Sequence, residues 1–535
     1  MNLTENIYSI ATETPNRKLF VDRNNLTYCE FCNIVDGYGA YFYHKGIKAR
    51  TRCIVLIAPS VNMFAVSFAL FRMGAIPVMI DSGMGVGPMV KALDKSEAEF
   101  VIAMPKAMLI KVLFPHKLKT VQRWVTVCNK HNGKVDIASF HKLKKSGDYP
   151  IYEPKPNNLS AIFFTSGSTG AAKGVKYRQS QLESQLKILK EQFHYTHGER
   201  DLCTFPLIGF FAISLGLSVA LARMDMTNPA TLNPKRIIKD LNKNECTLMF
   251  CSPMVLRKLT LFVEKKDIHI KSLRHLHLAG AAVDPDLVKR FKKHLPDNAQ
   301  INTPYGATEA LPVATINDKE LAISSQISIG KGVCVGKPIK GIEIKIIPVD
   351  DNPIININKT RDLKHNEVGE VMVLGDNVTQ EYLANSKAEE LSKVFDNETG
   401  KFWHRMGDLG YRDENKFIWI VGRKNHRVET NDRTFYTLPV EQIFNTHKDI
   451  ERSALVGVML NKNTIPIICC ELKKGHRRKQ KIKEELRKLA GEYAETNGIT
   501  KILFHKKLPV DSRHNAKIFR EKLTVWAQQK AKRYW

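Results

Sequence analysis

The chain has 535 residues, 43% of them hydrophobic and 25% charged, with a net charge of +28 from 82 basic and 54 acidic side chains. That length is too great for one compact core and implies two or more domains, while the composition excludes a disordered or low-complexity class. The positive excess would suit nucleic acid or an anionic membrane, but there is no zinc-finger spacing, RNA-binding aromatic signature or basic-region heptad, so a solvated basic face without a nucleic-acid partner is expected.

The first residues, MNLTENIYSIATETPNRK, lack the charged-then-apolar layout of a signal segment. Ten cysteines are irregularly spaced; Cys29 and Cys32 form a CxxC with no second pair at ligand spacing, so reduced thiols in a cytoplasmic protein are expected. Apolar runs at 53–57, 76–80, 100–103, 124–127, 161–164 and 248–251 read as buried strands. Amphipathic stretches at 62–73 and 181–192 read as helices between them. This alternation predicts an α/β fold with mostly parallel sheets.

Residues 163–175 read FFTSGSTGAAKGV, an apolar lead into a loop of Ser, Thr and Gly with one lysine. Such a loop can wrap a polyphosphate with backbone amides, hydroxyls and a positive charge. It is not a Walker A loop, because Lys173 follows Ala172 and precedes Gly174. A surface turn is the alternative, and the strand-like lead-in with the lysine favours a nucleotide site. Residues 202–222 carry no charge but contain Pro206, Gly209 and Gly216, which suggests a buried helix lining an apolar cavity rather than a membrane span.

Tyr305-Gly306-Ala307-Thr308-Glu309 brings an aromatic, a tight glycine, a hydroxyl and a carboxylate together; the bland alternative is a helix N-terminus with a stabilising acid. At 341–374 the pattern shifts to short β runs, IEIKII and GEVMVL, which suggest a smaller β subdomain. Asp408 lies between glycines in GDLG, as suits a ribose ligand or an Asx turn. A further change falls near Gly422-Arg423-Lys424-Asn425, and the remainder is about one small domain long. Lys517 sits between a polar turn and a helix-like tail, where a lone lysine is usually a surface residue.

In this order, TSGSTGAAKG, YGATE, GDLG, GRK and the lysine of NAK resemble the signature series of the adenylate-forming superfamily of acyl-CoA ligases, luciferases and nonribosomal peptide adenylation domains. The resemblance runs over residues 26–526. Within it, DSGMG (81–85), SPMVL (252–256), PYGATEALPVA (304–314), GRKNHRVET (422–430) and PVDSRHNAKIFREKL (509–523) are similar to the olefin β-lactone synthetases, which adenylate a 2-alkyl-3-hydroxy fatty acid and release a β-lactone.

The resemblance implies a large N-terminal domain, residues 1–424, of two α/β subdomains plus a small β subdomain. A small mobile α+β domain, 425–535, would follow a hinge at Asn425. It implies ATP and Mg²⁺, with Thr165, Ser166, Gly167, Ser168, Thr169, Gly170 and Lys173 on the β- and γ-phosphates. Thr308 would contact the α-phosphate, Glu309 and Thr165 the Mg²⁺, Tyr305 with Gly306 the adenine, and Asp408 with Arg423 the ribose. Lys517 would bridge the acyl carboxylate and the α-phosphate. The substrate would be a fatty acid or β-hydroxy fatty acid, and peripheral membrane contact or association with other lipid-pathway enzymes are the further partners it suggests. A nonenzymatic binding module is disfavoured by intact Lys173, Glu309, Asp408 and Lys517.

The alternative product is a CoA thioester. Two departures bear on it. Ungapped counting from Gly422 puts Asp432 where ligases usually carry a glycine that lets pantetheine pass. Gly209, beside Phe210 and Phe211, stands where many ligases have a histidine or aromatic gate after Pro206. A β-hydroxyl on the acyl chain is already held near the activated carbonyl, which is the advantage of an intramolecular nucleophile. The uncharged 202–222 segment is then a candidate wall of the acyl pocket.

Overall fold

In a computed structural model of the chain, the residues described are 3–80, 84–127, 148–165, 172–196, 198–325, 329–473, 475, 479–511 and 518–534. The apolar runs build the first sheet. β1 (Arg52–Leu56), β2 (Ile76–Ile80), β3 (Phe100–Ala103), β4 (Arg123–Thr126) and β5 (Leu159–Phe164) lie in the order β5-β2-β1-β3-β4, each parallel to its neighbour. β6 (Gly174–Arg178) turns back antiparallel on β5. Parallel strands are covered on both faces, so their sequences need no polar alternation. The helix Val61–Met73, one of those covers, does not have the solvent-facing polar side that an amphipathic reading expects: it is buried along nearly its whole length, with Asn62 and Ser67 enclosed among apolar residues. Its start is fixed by Ser60, whose hydroxyl accepts the Met63 N–H at 3.3 Å.

The second sheet begins with β7 (Arg200–Cys203), β8 (Ser218–Leu221), β9 (Leu248–Cys251), β10 (His275–Leu278) and β11 (Gln300–Ala307), parallel in the order β8-β7-β9-β10-β11. β12 (Ala310–Asn317) reverses on β11, and β13 (Val333–Pro338) carries the sheet into an antiparallel half with β14 (Glu343–Ile347) and β15 (Gly369–Leu374). β16 (Glu381–Tyr382) crosses to pair with β6 of the first sheet. β17 (Lys393–Asp396), β18 (Lys401–Arg412) and β19 (Ile418–Arg423) complete the antiparallel half. The small β subdomain is therefore an extension of the second sheet.

The uncharged run at 202–222 is not one helix. It divides into the end of β7, a nine-residue helix, Pro206–Ser214, and β8. Continuous apolarity reflects burial and does not distinguish strand from helix. Among the described residues no helix is long and apolar enough to cross a membrane. Cys32 of the CxxC is buried in the core, its free thiol pushed well above its usual range by that burial, while Cys29 is half-buried at the edge of the same helix.

Beyond β20 (Val428–Glu429) and β21 (Thr434–Phe435), the strands β22 (Ile450–Leu460), β23 (Asn463–Leu472) and β24 (Lys501–Phe504) form a three-stranded sheet. Alternate residues of β22 serve two cores. Leu455 joins Phe444, Ile482 and Leu486 on one face, while Ala454, Val456 and Val458 join Leu523, Ala527 and Ala531 on the other. Both cores are made only of residues after 427.

Candidate active site

Two chain reversals and the open end of a strand pair supply the side chains. In the first, β5 ends in Phe163 and Phe164, and the Thr165 N–H donates to the Lys173 carbonyl at 2.9 Å, closing the β5–β6 loop. Ser166, Gly167, Ser168, Thr169 and Gly170 lie outside the described residues. The Lys173 ammonium stands 5.0 Å from the centroid of the Tyr382 ring.

The second reversal is YGATE. It is a β11–β12 hairpin with an irregular register between Tyr305 and Ala307, not the start of a helix. Gly306 is needed there because a Cβ would lie 2.6 Å from the Ala310 carbonyl oxygen. Thr308 and Glu309 form the tip. Tyr177 donates its hydroxyl to the Thr308 carbonyl. Thr379 donates both its N–H, at 2.9 Å, and its hydroxyl, at 3.1 Å, to the Glu309 carbonyl. The Glu309 carboxylate accepts the Tyr382 hydroxyl at 2.8 Å.

The strand pair is β18–β19. GDLG is strand rather than an Asx turn, and its register sets Asp408 directly opposite Arg423. Tyr305 donates to one Asp408 oxygen at 2.6 Å and Arg423 to the other at 2.8 Å. Burial, and then Asp408, push the Tyr305 hydroxyl well above its usual value, so it remains a donor. Arg423 is raised chiefly by Asp408, and the Tyr305–Asp408 hydrogen bond links this pair to the YGATE hairpin. Tyr305, Gly306, Thr308, Glu309 and Lys173, at two turns, thus meet Asp408 and Arg423 at the open end of the β18–β19 pair.

The donor set suits a magnesium polyphosphate. Glu309 presents a hard carboxylate oxygen, Thr165 a hydroxyl at the end of β5, and Lys173 a point charge. Asp408, held from two sides, is rigid enough to discriminate hydroxyl donors. Lys517 lies outside the described residues. The described residues flanking its segment, Val510 and Ile518, form a β-bridge, and Glu521 of the helix that follows comes within 3.6 Å of the His426 ring, just beyond Arg423.

Motif reading missed Tyr177, Thr379, Tyr382 and Lys393, which belong to no signature and meet the site only through tertiary contacts. Of the two departures that bear on a thioester, Asp432 lies exposed in the β20–β21 turn. Its neighbour Arg433 lines a cleft of about 400 Å³ with Lys331, Tyr411, Tyr436 and Glu495. Gly209 is buried, and a Cβ there would lie 2.7 Å from both Cys203 and Phe64, so the space of a larger residue is already filled. The half-buried Phe205, Leu207 and Ile208 at the start of the same helix are the apolar side chains that remain partly open.

The sequence profile of the family described as AMP-binding enzyme matches residues 8–383. The chain is 36% identical to the olefin β-lactone synthetase of Xanthomonas campestris over 511 residues, 94% of this chain and 91% of that one. It is 36% identical to the olefin β-lactone synthetase of Stenotrophomonas maltophilia over 497 residues, covering 92% and 89%. The fold also resembles that of O-succinylbenzoate coenzyme A synthetase from Bacillus subtilis in complex with ATP and magnesium ion, with a TM-score of 0.76 over 97% of this chain and 98% of that one at 20% identity.

Proposed function

The chain belongs to the AMP-binding enzyme family, and from that premise we propose that it adenylates a long-chain 2-alkyl-3-hydroxy fatty acid and closes it to a β-lactone. As an AMP-forming ligase it activates a carboxylic acid with ATP. The observation that carries the finer reading is the similarity to two olefin β-lactone synthetases along more than nine-tenths of the chain.

In the first half-reaction the carboxylate attacks the α-phosphorus and pyrophosphate leaves. Two anions must approach, so the protein's task is charge neutralisation and alignment. Residues 165–173 and Lys173 hold the departing phosphates. Thr308 would contact the α-phosphate, and Glu309 with Thr165 would hold Mg²⁺, which when bound would neutralise phosphate charge. Tyr305 and Gly306 face the adenine, and Asp408 with Arg423 bind the ribose. Lys517 arrives on the C-terminal unit, residues 425–535, which pivots at Asn425. In the second half-reaction the β-hydroxyl oxygen bonds to the acyl carbon, the bond to AMP breaks, and the hydroxyl proton passes to solvent. The adenylate leaving group offsets the strain of the four-membered ring. Asp432 in the β20–β21 turn supports a route that does not depend on passage of pantetheine.

The test is product analysis. With a 2-alkyl-3-hydroxy acid, ATP and Mg²⁺, AMP and β-lactone are expected in equal amounts without CoA. Strict dependence on CoA with a thioester product would replace this reading by that of a fatty acyl-CoA ligase.

A substrate and product this apolar also favour work at a lipid surface. β3 and β5 are members of one parallel sheet, so the segment after β3 emerges at the same edge as the nucleotide loop after β5. There Leu109, Val112 and Leu113 are 59%, 74% and 66% exposed, among exposed Lys106, Lys111 and Lys119. This combination suits an anionic membrane surface. Sedimentation with phosphatidylglycerol vesicles is expected, and replacing all three apolar residues with Ser should weaken it roughly tenfold or more. Equal binding of that variant, or equal binding of the unaltered protein to neutral phosphatidylcholine, would remove the membrane contact.

A further inference from the structure

Behind Tyr382 lies a buried lysine. Lys393 opens β17, where the register pairs it with His404 on β18. The residue is only 8% exposed. Its Nζ donates to the Thr379 carbonyl, and to the Thr379 hydroxyl at 3.2 Å, and it stands 5.5 Å from the Tyr382 ring centroid. Thr379 and Tyr382 are the two residues that hold Glu309, one through its backbone carbonyl and the other through its carboxylate. One amino group therefore bonds one support of Glu309 and lies over the ring of the other.

The position is an expensive place for a charge. Burial, together with Lys173, pulls Lys393 down to about 7, against the pull of Glu309 and Glu389. His404 across the strand is buried too and pushed well below its usual value, so it adds no second cation at neutral pH. Among the described residues, no carboxylate lies within ion-pair distance of Lys393. An apolar side chain would fill this space at lower cost, because a buried cation without a contacting anion is destabilising. What the lysine provides, and an apolar residue would not, is a rigid hydrogen-bonded brace beneath the Glu309 turn.

We propose that Lys393 is a positioning residue for adenylation: by clamping Thr379 and the Tyr382 ring it fixes the Glu309 carboxylate for the metal ion of ATP, without itself touching nucleotide or metal. The inference rests on Glu309 being that metal-binding carboxylate. Residues that orient a metal ligand from behind change metal affinity by roughly 10–100-fold when removed. The effect is thus expected in the Mg²⁺ requirement more than in the maximal rate.

The experiment is acid-dependent pyrophosphate–ATP exchange by the full-length protein, titrated with Mg²⁺ at saturating ATP, together with direct binding of Mn²⁺ to the protein–ATP complex read by electron paramagnetic resonance, in which the same shift is expected. Lys393→Met should raise the half-saturating Mg²⁺ concentration by roughly tenfold or more, with a much smaller change in the rate at saturating Mg²⁺. Tyr382→Phe, which removes only the hydroxyl bond to Glu309, should shift the requirement in the same direction. The double variant should shift it by less than the product of the two single effects, because both act through one carboxylate. Lys393→Gln retains a donor, so it should fall between the wild type and Lys393→Met, and it serves if the Met variant does not fold. A merely structural lysine would lower the rate in proportion to folded protein and leave the Mg²⁺ half-saturation unchanged, which would overturn the proposal. Glu309→Gln separates the two readings. If it shifts the Mg²⁺ requirement while neither Lys393 variant does, the brace is wrong and the carboxylate assignment stands. If Glu309→Gln leaves the requirement unchanged, the carboxylate assignment itself fails.

Discussion

Replacing Lys517 with alanine is expected to cut acid-dependent pyrophosphate–ATP exchange by roughly 10²–10³-fold, the scale for losing one preorganised transition-state donor. ATP binding, measured by equilibrium dialysis, should change only a few-fold, because the proposed phosphate loop and the Asp408–Arg423 pair are untouched. The reason is differential binding. A lysine placed, as proposed, between the acyl carboxylate and the α-phosphate would meet the most charge when both anions converge, and would contribute less to either ligand alone. The segment carrying it is anchored at both described ends. Val510 and Ile518 are bridged, while Arg520 donates to the Leu455 carbonyl at 3.0 Å and to Glu441 at 2.9 Å. Substitution at 517 leaves those anchors in place, so loss of exchange would report chemistry rather than unfolding. A supplied 3-hydroxyacyl adenylate should still close to lactone in the alanine variant, since that step needs only proximity and the AMP leaving group. Exchange near the wild-type rate would show that Lys517 is misassigned.

The division between what the sequence revealed and what it concealed follows from how locally each feature is encoded. The strands at 76–80, 100–103 and 248–251 were legible to the residue, because a strand covered on both faces leaves an unbroken apolar run with polar flanks. The same rule misread 202–222, where a strand, a short helix and a second strand are all buried and therefore equally apolar. Asp408 and Arg423 could each be named from glycine-flanked motifs. That they face each other, with Tyr305 on the remaining carboxylate oxygen, depends on strand register and was not visible. Tyr382 and Lys393 were less accessible still. They arrive from short strands on two different sheets, and no periodicity or spacing links them to Glu309.

The largest stability effect is expected at a residue no motif contains. Glu370 and Arg405 have side chains only 1% exposed and pair on β15 and β18, with Arg405 Nε donating at 3.0 Å and Nη2 at 2.6 Å to the same carboxylate oxygen. That oxygen also accepts from Lys424 at 3.1 Å. Arg405 lies three residues before Asp408, and Lys424 directly follows Arg423, so one buried carboxylate pins both strands that present the proposed ribose site. Glu370→Ala would leave the Arg405 guanidinium buried without its counter-ion, and Lys424 short of one, a loss of about 3–5 kcal/mol. Urea unfolding followed by tryptophan fluorescence measures it, since Trp403 and Trp419 sit on the affected strands. The control is Glu370→Leu combined with Arg405→Met. Removing both charges also removes the cost of burying them, so the double variant should be more stable than Glu370→Ala alone. It should nonetheless bind AMP more weakly than the wild type, because the carbonyls of Asp350 and Asn352 lose the guanidinium that ties them to β18. If Glu370→Ala costs less than about 1 kcal/mol, the value typical of an exposed pair, the two strands are held by their ladder alone and the buried cluster is not what aligns Asp408 with Arg423.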